Sequence, residues 1–205
     1  MVYKALTQTV RKYYKTTTTT QSWSQPTISS DGTLGGDSFA VNASNDGSNH
    51  SAYKAFNSGL NGWRAYDSSA NKYTFYNPTP IKVTGLSFSG AGAGPMGGYT
   101  KSYNLYASNN GANWTSLGSY NQNTDATTIV YNSISNNSYY KYYRIDSTSR
   151  NTRDAISSLV ITATEQITTI IESTSSDYDF YKDVNTYQIV KETSGNTNVY
   201  KALRE

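Results

Sequence analysis

Short segments with the alternation of β-strands recur about every ten residues through the middle of the chain, and turn residues separate them. The alternation places apolar or aromatic side chains on one face of each segment. Many short strands at this spacing are typical of an antiparallel sandwich or jelly roll, not of a parallel sheet covered by helices. The predicted strands are Lys72–Tyr76, Ile81–Ser89, Ser102–Ala107, Trp114–Leu117, Thr127–Tyr131, Tyr139–Asp146 and Ile156–Ala163.

Turn and bulge signals divide these strands. Asn77-Pro78 is expected to end the first strand, because proline cannot donate to the hydrogen-bond ladder of a sheet. Ile81 and Val83 share one face of their strand, whereas Leu86 and Phe88 follow in the opposite register. This change predicts a β-bulge at Gly85, which lies between the two pairs. Asn109-Asn110-Gly111 predicts a hairpin turn, and Ala52–Phe56 a short turn or helical piece. The glycine-rich stretch Gly90–Gly98 predicts a loop.

The two ends of the chain differ from its middle. We divide it into an N-terminal arm and linker (1–20), a β-sandwich (21–165) and a C-terminal assembly segment (166–205). In the arm we expect a strand and then a linker over Thr16–Thr20, and in the C-terminal segment Glu165–Glu172 is either a strand or a short helix. Val2–Leu6 reappears residue for residue as Val199–Leu203, which suggests similar strand pairings with neighbouring subunits in a homo-oligomer. The alternative is a coincidence within a biased composition.

Composition and charge exclude several classes of protein. The chain has no Cys and one His, which excludes disulfide scaffolds and zinc sites built on paired His. No run approaches the roughly 18 apolar residues of a membrane helix, so no membrane partner is expected. No secretory signal pattern opens the chain, and export by that route is not expected. The net charge of +3 comes from the N-terminal arm, because residues 1–20 carry +4, residues 21–165 only +1 and residues 166–205 −2. The middle region has almost no net charge to attract phosphates, so nucleic acid is not an expected partner.

No pattern of catalytic residues stands out, and we expect no enzyme activity. A sugar hydrolase normally needs two carboxylates about 5 to 10 Å apart. Most acidic residues of the middle region stand in turns such as Asp31-Gly32 and Asp46-Gly47, where turn chemistry explains them. His50 is the single imidazole, and no triad motif surrounds it.

Several motifs together resemble the discoidin-like family, also called coagulation-factor type-C or galactose-binding-like domains. The resembling segments, in the family's order, are Ala52–Asn57, Gly62-Trp63, Tyr73–Tyr76, Ile81–Leu86, Tyr103–Trp114, Tyr142–Ile145 and Ile156–Ile161. Asn57 and Asn110 stand where the family usually has Asp. The resemblance implies an all-β fold, an eight-stranded antiparallel jelly-roll sandwich. It also implies non-catalytic binding of glycans, sometimes of lipid or protein, through loops at one end.

The segment from Trp23 to Val41 resembles the lead-in to such domains in bacteriophage tail and virion structural proteins. Ser, Thr and Asn make up more than a third of the chain and Tyr adds 20 residues, a composition that suits phage fibres. The leading hypothesis is a phage virion structural protein of a tail, fibre or capsid surface. It would adhere to host cell-surface glycans and contact other virion proteins. The alternative is a purely structural decoration or cement subunit that binds no sugar.

Glycan binding needs aromatic rings for the CH-rich faces of sugars and planar hydrogen-bonding groups for their hydroxyls. Arg150 to Arg153 lie between two predicted strands, where the family often places ligand contacts. The alternative is that these are solvated loop residues. Trp63 and Trp114 match family positions that are usually core. The candidate carbohydrate-binding residues are His50, Arg64, Tyr99, Arg150, Asn151 and Arg153, with Arg150, Arg153, His50 and Tyr99 the foremost.

The family resemblance also implies a possible structural Ca²⁺ ion in the loop after the Ala-Phe-Asp motif, closed by an acidic residue near the end of the domain. Ca²⁺ takes oxygen ligands, including backbone carbonyls. The matching candidates are Asn57, Asn61 and Glu165. Asn in place of Asp at position 57 removes a charge and weakens this site. No cofactor is expected to be required.

Overall fold

The computed structural model describes residues 13–46, 49–57, 62–66, 71–91, 98–122, 127–173, 192–194 and 197–199. The chain divides into two compact units, one of Gln21–Glu165 and one of Met1–Thr20 with Gln166–Glu205. The described elements are β1 (Tyr13–Ser22), β2 (Ala40–Ala43), a 3₁₀ helix (Ala52–Phe56), β3 (Trp63–Arg64), β4 (Lys72–Ser89), β5 (Tyr99–Ser108), β6 (Thr115–Asn121), β7 (Val130–Ser133), β8 (Tyr140–Asn151), β9 (Ala155–Ser173), β10 (Glu192–Ser194) and β11 (Thr197–Val199).

Strand β4 belongs to both layers of the Gln21–Glu165 unit. Its first half, to Tyr76, lies between β2 and β8. Its second half, from Ile81, lies between β9 and β7. The pairing with β8 shifts register between these two residues. The layers are therefore β2-β4-β8-β5-β6 and β7-β4-β9-β3, all antiparallel. This antiparallel β-sandwich confirms the predicted all-β fold.

The prediction that the strand ends at Asn77-Pro78 was wrong, because β4 continues through both prolines to Ser89. Positions 77–80 have no partner in the pairing with β8. The missing amide hydrogens of Pro78 and Pro80 therefore break no hydrogen bond of that pairing. The predicted irregularity at Gly85 is confirmed, since the pairing with β9 shifts register between Val83 and Gly85. The shift turns the apolar pairs on both sides of it into the core.

The core fills the space between the two layers. Phe75 and Tyr143, neighbours on β4 and β8, stack with their ring centroids 5.3 Å apart. Aromatic rings in this geometry add specific contacts to the apolar area they bury. The largest fully buried side chains are Trp63, Tyr73, Tyr103, Tyr143, Phe75, Phe88, Ile81, Leu86, Leu105, Ile145, Ile156 and Leu159.

In the other unit, the structure describes parts of β1 and β9 and a small hairpin of β10 and β11. The hydroxyl oxygens of Thr18 and Thr168 lie 3.3 Å apart across the β1–β9 pair. The expected linker at Thr16–Thr20 was therefore wrong, because these threonines are strand residues. The segment Glu165–Glu172 takes the strand alternative. The repeated Val2–Leu6 and most of its copy lie outside the described residues.

Candidate functional site

His50 and Arg64 form a direct pair at one end of the sandwich. Arg64 lies on β3, where it pairs with Ala155 of β9. Its Nη2 donates to Nε2 of His50, while the other ring nitrogen, Nδ1, lies 3.0 Å from the carbonyl oxygen of Gly62. The imidazole is thus anchored to backbone and in turn orients the guanidinium. Burial lowers the pKa of His50, and the nearby cations Arg64 and Lys54 lower it further, against the opposing effect of the Gly62 carbonyl.

Arg153 reaches the same place from the turn between β8 and β9. The Arg153 amide donates to the Asn151 carbonyl at 2.6 Å, and Thr152 between them has φ 57°. This is the geometry of a γ-turn with positive φ, which is rare and strained, particularly for a β-branched residue. Burial lowers the pKa of Arg64, and the charge of Arg153 lowers it further. The backbones of the two residues are near each other, since Arg64 pairs with Ala155 and the Ala65 amide donates to the Asp154 carbonyl at 3.0 Å.

Tyr99 and Asn151 lie side by side, since they are paired residues of β5 and β8. The residue before Tyr99 also packs on the turn: a Cβ on Gly98 would lie 2.5 Å from the carbonyl oxygen of Arg153. Only glycine fits this approach. The structure therefore brings five of the six candidate residues to one end of the sandwich, namely His50, Arg64, Tyr99, Asn151 and Arg153.

Arg150 has a different environment from the one that its loop position suggests. Its Nη1 lies 3.9 Å from Oδ2 of Asp154, a carboxylate with no exposed surface. Asp154 also accepts hydrogen bonds from Asn71 and Thr100, both at 3.1 Å, and from Ser147. Arg150 thus balances a buried charge, with about a quarter of its side chain exposed. Sequence reasoning missed Asp154, since its sequence context resembles that of any loop acid.

Two further acidic residues, taken as turn residues from the sequence, frame the loop that carries His50. Oδ1 of Asp31 accepts from the Tyr53 amide at 2.7 Å, and Oδ1 of Asp46 accepts from Nε1 of Trp63 at 2.8 Å. Burial raises the pKa of Asp46, the Trp63 hydrogen bond opposes that, and the nearby Asp31 raises it further. Trp63 is 2% exposed, which confirms its predicted core position.

The predicted calcium ligands do not come together. The carbonyl oxygen of Asn57 accepts from the Ser158 amide and the Ser157 hydroxyl, both at 2.8 Å. Glu165 lies seven residues further along the extended strand β9, roughly 20 Å away, where it accepts from the Gln21 side chain. Asn61 lies outside the described residues. The described donors therefore do not fit a Ca²⁺ ion, and no cluster of three or more His, Asp or Glu side chains able to hold a metal occurs among them.

Trp114 does not lie in the core, contrary to the family-based expectation. It is half-buried, and the Arg144 guanidinium lies 4.2 Å from its ring centroid. Arg144 also forms two hydrogen bonds with the Asp146 carboxylate, at 2.6 and 2.9 Å. The strand position of Arg144 turns it out of the core, and Trp114 covers it. Arg144 therefore pairs with a carboxylate of its own strand.

Comparison with protein families gives one match over the sandwich. The family model described as the F5/8 type C domain matches residues 40–161, which is more than half of the chain. The chain belongs to the F5/8 type C family. The matched span contains all five residues brought together at this end of the sandwich, namely His50, Arg64, Tyr99, Asn151 and Arg153. Comparison with curated proteins finds no significant match for the chain as a whole.

Solved structures similar to this F5/8 type C chain share its fold at low sequence identity. Discoidin II from Dictyostelium discoideum is 15% identical with a TM-score of 0.51, over 62% of this chain and 54% of that one. The CBM32-1, CBM32-2 and M60 catalytic domains of ZmpB from Clostridium perfringens are 12% identical with a TM-score of 0.53, over 60% of this chain and 14% of that one. This chain therefore spans about half the length of discoidin II and a much smaller part of the ZmpB fragment.

Within the described residues, no helix is both long enough and apolar enough to cross a membrane.

Proposed function

We propose that the F5/8 type C domain of this chain is a non-catalytic carbohydrate-binding module. The observation that carries the proposal is the convergence of His50, Arg64 and Arg153 at one end of the sandwich. Planar guanidinium groups donate paired hydrogen bonds, which match the vicinal hydroxyls of a sugar ring. Tyr99, half-buried beside this cluster, supplies an aromatic face for the CH-rich side of the sugar. Domains of this family are typically binding modules without catalysis, which supports the same assignment.

Strands hold the cluster, which favours binding by a preformed site. Arg64 is fixed by the β3–β9 pair and Tyr99 by the β5–β8 pair. A site built on paired strands loses little conformational entropy when a ligand binds.

A glycan array probed with the intact chain tests this proposal. We expect binding to a subset of glycans and at least a tenfold loss for Arg64→Gln, because one charge-assisted hydrogen bond contributes about 1.5 to 3 kcal/mol. The matched control is Lys141→Gln, since Lys141 stands at the other end of β8 from this cluster. An array with no bound glycan, or equal losses in both variants, would contradict the proposal.

The finer proposal is that this module serves host-surface adhesion in a phage particle, as a structural protein on the virion surface. Its support is the phage-like lead-in from Trp23 to Val41, the Ser, Thr, Asn and Tyr-rich composition and the pentapeptide repeated near both ends. Binding to cell-wall polysaccharide of a bacterial host, together with detection of the chain on purified particles, tests it. Binding without any association with particles would contradict the virion role while leaving the carbohydrate module intact.

A homo-oligomer formed through the terminal segments is part of the same proposal. Three isoleucines of β9 beyond the sandwich are exposed: Ile167 at 39%, Ile170 at 65% and Ile171 at 46%. Neighbouring residues of a strand point to opposite faces, so Ile170 and Ile171 leave both faces of this ribbon apolar. The same feature favours the alternative function, a decoration or cement subunit that binds no sugar. Light scattering after size exclusion tests the oligomer, and a monomer would contradict both versions of the assembly.

A further inference from the structure

Strands β1 and β9 form a two-stranded ribbon of threonines and isoleucines, residues 16–20 with 166–171. The hydroxyl oxygens of Thr18 and Thr168 lie 3.3 Å apart, and the Gln21 side chain donates to Glu165 at 2.9 Å. When β1 advances three residues from the first contact to the second, its partner on β9 goes back by three. The two strands are therefore antiparallel, and their register is continuous.

Each strand of this ribbon has one edge without a strand partner among the described residues. In the strand order β1 stands last and has β9 alone as its neighbour. On its other side β9 pairs with β4 only as far as Glu165, which lies opposite Ile81. The residue before Ile81 is Pro80, which has no amide hydrogen with which to continue this pairing. The ribbon thus has two open edges, and a pair of strands by itself is only marginally stable in water.

The sequence of the ribbon does not protect these edges against pairing with another chain. Proteins discourage such pairing with charged side chains, above all lysine, and with proline. The segments Thr16–Thr20 and Gln166–Ile171 contain neither a charged residue nor a proline. Both edges are therefore suited to pair with a further strand.

The isoleucines divide unequally between the two faces of the ribbon. Residues an even number of positions apart on a strand share a face, so Ile167 and Ile171 lie on one face and Ile170 on the other. Their exposed fractions are 39%, 46% and 65%. The face with two isoleucines therefore offers the larger apolar area to a partner.

We infer that the open edge of β1 in one copy of the chain pairs with the open edge of β9 in the next, so that the ribbons close into a ring with Ile167 and Ile171 inside. The inference rests on the proposed homo-oligomer and specifies its interface. Copies of the same chain supply both missing strands, since each copy offers one edge of each kind. Charge favours this pairing over β1 with β1 or β9 with β9, because residues 1–20 carry +4 and residues 166–205 carry −2. A contact between unlike edges forms either a ring or a filament, and a ring leaves no edge open.

Cysteine cross-linking of the intact chain tests which face is inside, because the chain has no cysteine of its own. Light scattering after size exclusion first gives the mass of the unchanged oligomer. Ile171→Cys should form covalent links between copies under mild oxidation or with a short bismaleimide, because this residue of each copy faces the inside of the ring. Ile170→Cys is the matched control and should form few links or none, since its side chain points to the opposite face. Equal cross-linking of the two variants, or none in an oligomer of unchanged mass, would overturn the inference.

A charge introduced on either face measures how much each face contributes to assembly. Ile171→Lys should raise the concentration at which the oligomer forms about tenfold or more, because a buried isoleucine is lost from the inside. Ile170→Lys should change that concentration by about twofold or less, as exposed substitutions do. Equal effects of the two variants would contradict the assignment of the faces.

A proline in β1 tests the pairing of the edges. The Trp23 amide donates to the Ala163 carbonyl of β9 at 3.0 Å. Amides of successive strand residues point to opposite sides, so the Thr18 amide, five residues earlier, points to the open edge. Thr18→Pro removes this amide, and a proline is tolerated at an edge whose amide does not serve the existing pair. We expect Thr18→Pro to lose assembly and Thr18→Val, which keeps the amide, to retain it.

The outcomes separate failure of this inference from failure of the proposed oligomer. A monomeric unchanged chain would overturn both. An oligomer whose mass survives Ile171→Lys or Thr18→Pro would overturn the edge-to-edge ring alone. An unchanged tryptophan emission spectrum shows that each variant keeps its sandwich, since Trp63 is buried in the core.

Discussion

Nε2 of His50 accepts a hydrogen bond from the Arg64 guanidinium, while Nδ1 of the same ring lies 3.0 Å from the Gly62 carbonyl oxygen. A carbonyl oxygen can only accept, so we assign the proton of the neutral ring to Nδ1; Arg64 Nε lies 3.5 Å from this nitrogen, longer than a good hydrogen bond. Nε2 is then free to accept from Arg64. Burial, with the nearby charges of Arg64 and Lys54, lowers the pKa of His50 below its ordinary value of 6.5. The candidate site is therefore assembled around an uncharged imidazole.

Acidification is expected to disassemble this pair. Protonation turns Nε2 into a donor that faces another donor, so ligand affinity should fall as pH drops through the lowered pKa of His50. The unfolded chain takes up its proton nearer 6.5. The contribution of His50 to stability is therefore complete above that pH and is lost as pH falls toward and through the folded pKa. The chain has one His, so NMR titration of its ring protons measures this pKa without assignment.

The control for this prediction is His50→Gln, whose side-chain oxygen can still accept from Arg64 but does not titrate. Its ligand affinity should vary less with pH than that of the unchanged chain. In a variant that keeps His50, Arg64→Gln should move the pKa of His50 upward, because one of the cations that lower it is removed. A pKa of His50 at or above 6.5 would contradict the assignment.

The buried carboxylate of Asp154 is expected to contribute strongly to stability. Asp154→Ala leaves the donors of Asn71, Thr100 and Ser147 without their acceptor and Arg150 without its partner. Losing one partner of a buried charged network costs about 3 to 5 kcal/mol in free energy of unfolding. Urea denaturation followed by tryptophan fluorescence measures the loss. The comparison is Asp146→Ala in the partly exposed pair with Arg144, where we expect about 1 kcal/mol or less.

Alternation and turn residues were enough to predict the fold class and most strands, because the two faces of a strand in a sandwich differ in polarity. The continuity of β4 was missed because Pro78 looks like a strand end. Whether a proline is tolerated depends on which neighbour lies beside it, and only the assembled sheets determine this. The run Thr16–Thr20 was predicted to be a linker although it lies in a strand. Its residues are all polar, so the sequence shows no alternation of apolar and polar positions there.

The sequence singled out residues that the structure brings to one end of the sandwich, but the contacts between them could not be predicted from it. Arg64 and His50 are 14 residues apart, and no spacing rule joins them. Arg150 and Arg153 look equivalent in the sequence, yet the first lies next to a buried carboxylate. Thr152 is a residue type that avoids positive φ, so its γ-turn could not be expected from composition. These features depend on tertiary packing.

Two buried tyrosines should respond differently to loss of the hydroxyl. Tyr143 donates to the Ile81 carbonyl at 2.7 Å and accepts from the Val83 amide at 3.2 Å, beside the point where β4 changes layers. Burial raises its pKa to about 12. Tyr143→Phe leaves these buried backbone groups short of a partner, which should cost about 1 to 3 kcal/mol in free energy of unfolding.

The matched control for Tyr143→Phe is Tyr103→Phe, because Tyr103 is equally buried. Among the described residues, its hydroxyl has no hydrogen-bond partner of good geometry. Burial raises its pKa well above the ordinary value. The Asn132 side chain is near this hydroxyl but outside hydrogen-bond geometry, so Tyr103→Phe should leave the free energy of unfolding unchanged or slightly higher. Chemical denaturation of both variants measures the difference. Equal destabilisation would contradict the proposed role of Tyr143 at the bend.

The third comparison concerns two tryptophans that look alike in the sequence. Trp63 is 2% exposed, its ring packs at a tilt against Tyr73 with the ring centroids 5.4 Å apart, and its Nε1 donates to Asp46. Trp63→Ala should therefore cost about 3 to 5 kcal/mol in free energy of unfolding, as truncations of large core side chains do. Trp114 instead covers the Arg144 guanidinium from outside the core. Trp114→Ala should cost about 1 kcal/mol, the contribution of a cation–π contact at a partly exposed site.

Urea denaturation followed by far-ultraviolet circular dichroism compares the two variants without relying on the fluorophores that they remove. Glycan binding by Trp114→Ala should match that of the unchanged chain. The Trp114 ring contacts the Arg144 guanidinium, and Asp146 still holds Arg144 in place when this ring is removed. A loss of binding in Trp114→Ala with stability preserved would instead identify its ring as part of a ligand surface. Equal destabilisation by the two truncations would mean that Trp114 packs as a core residue.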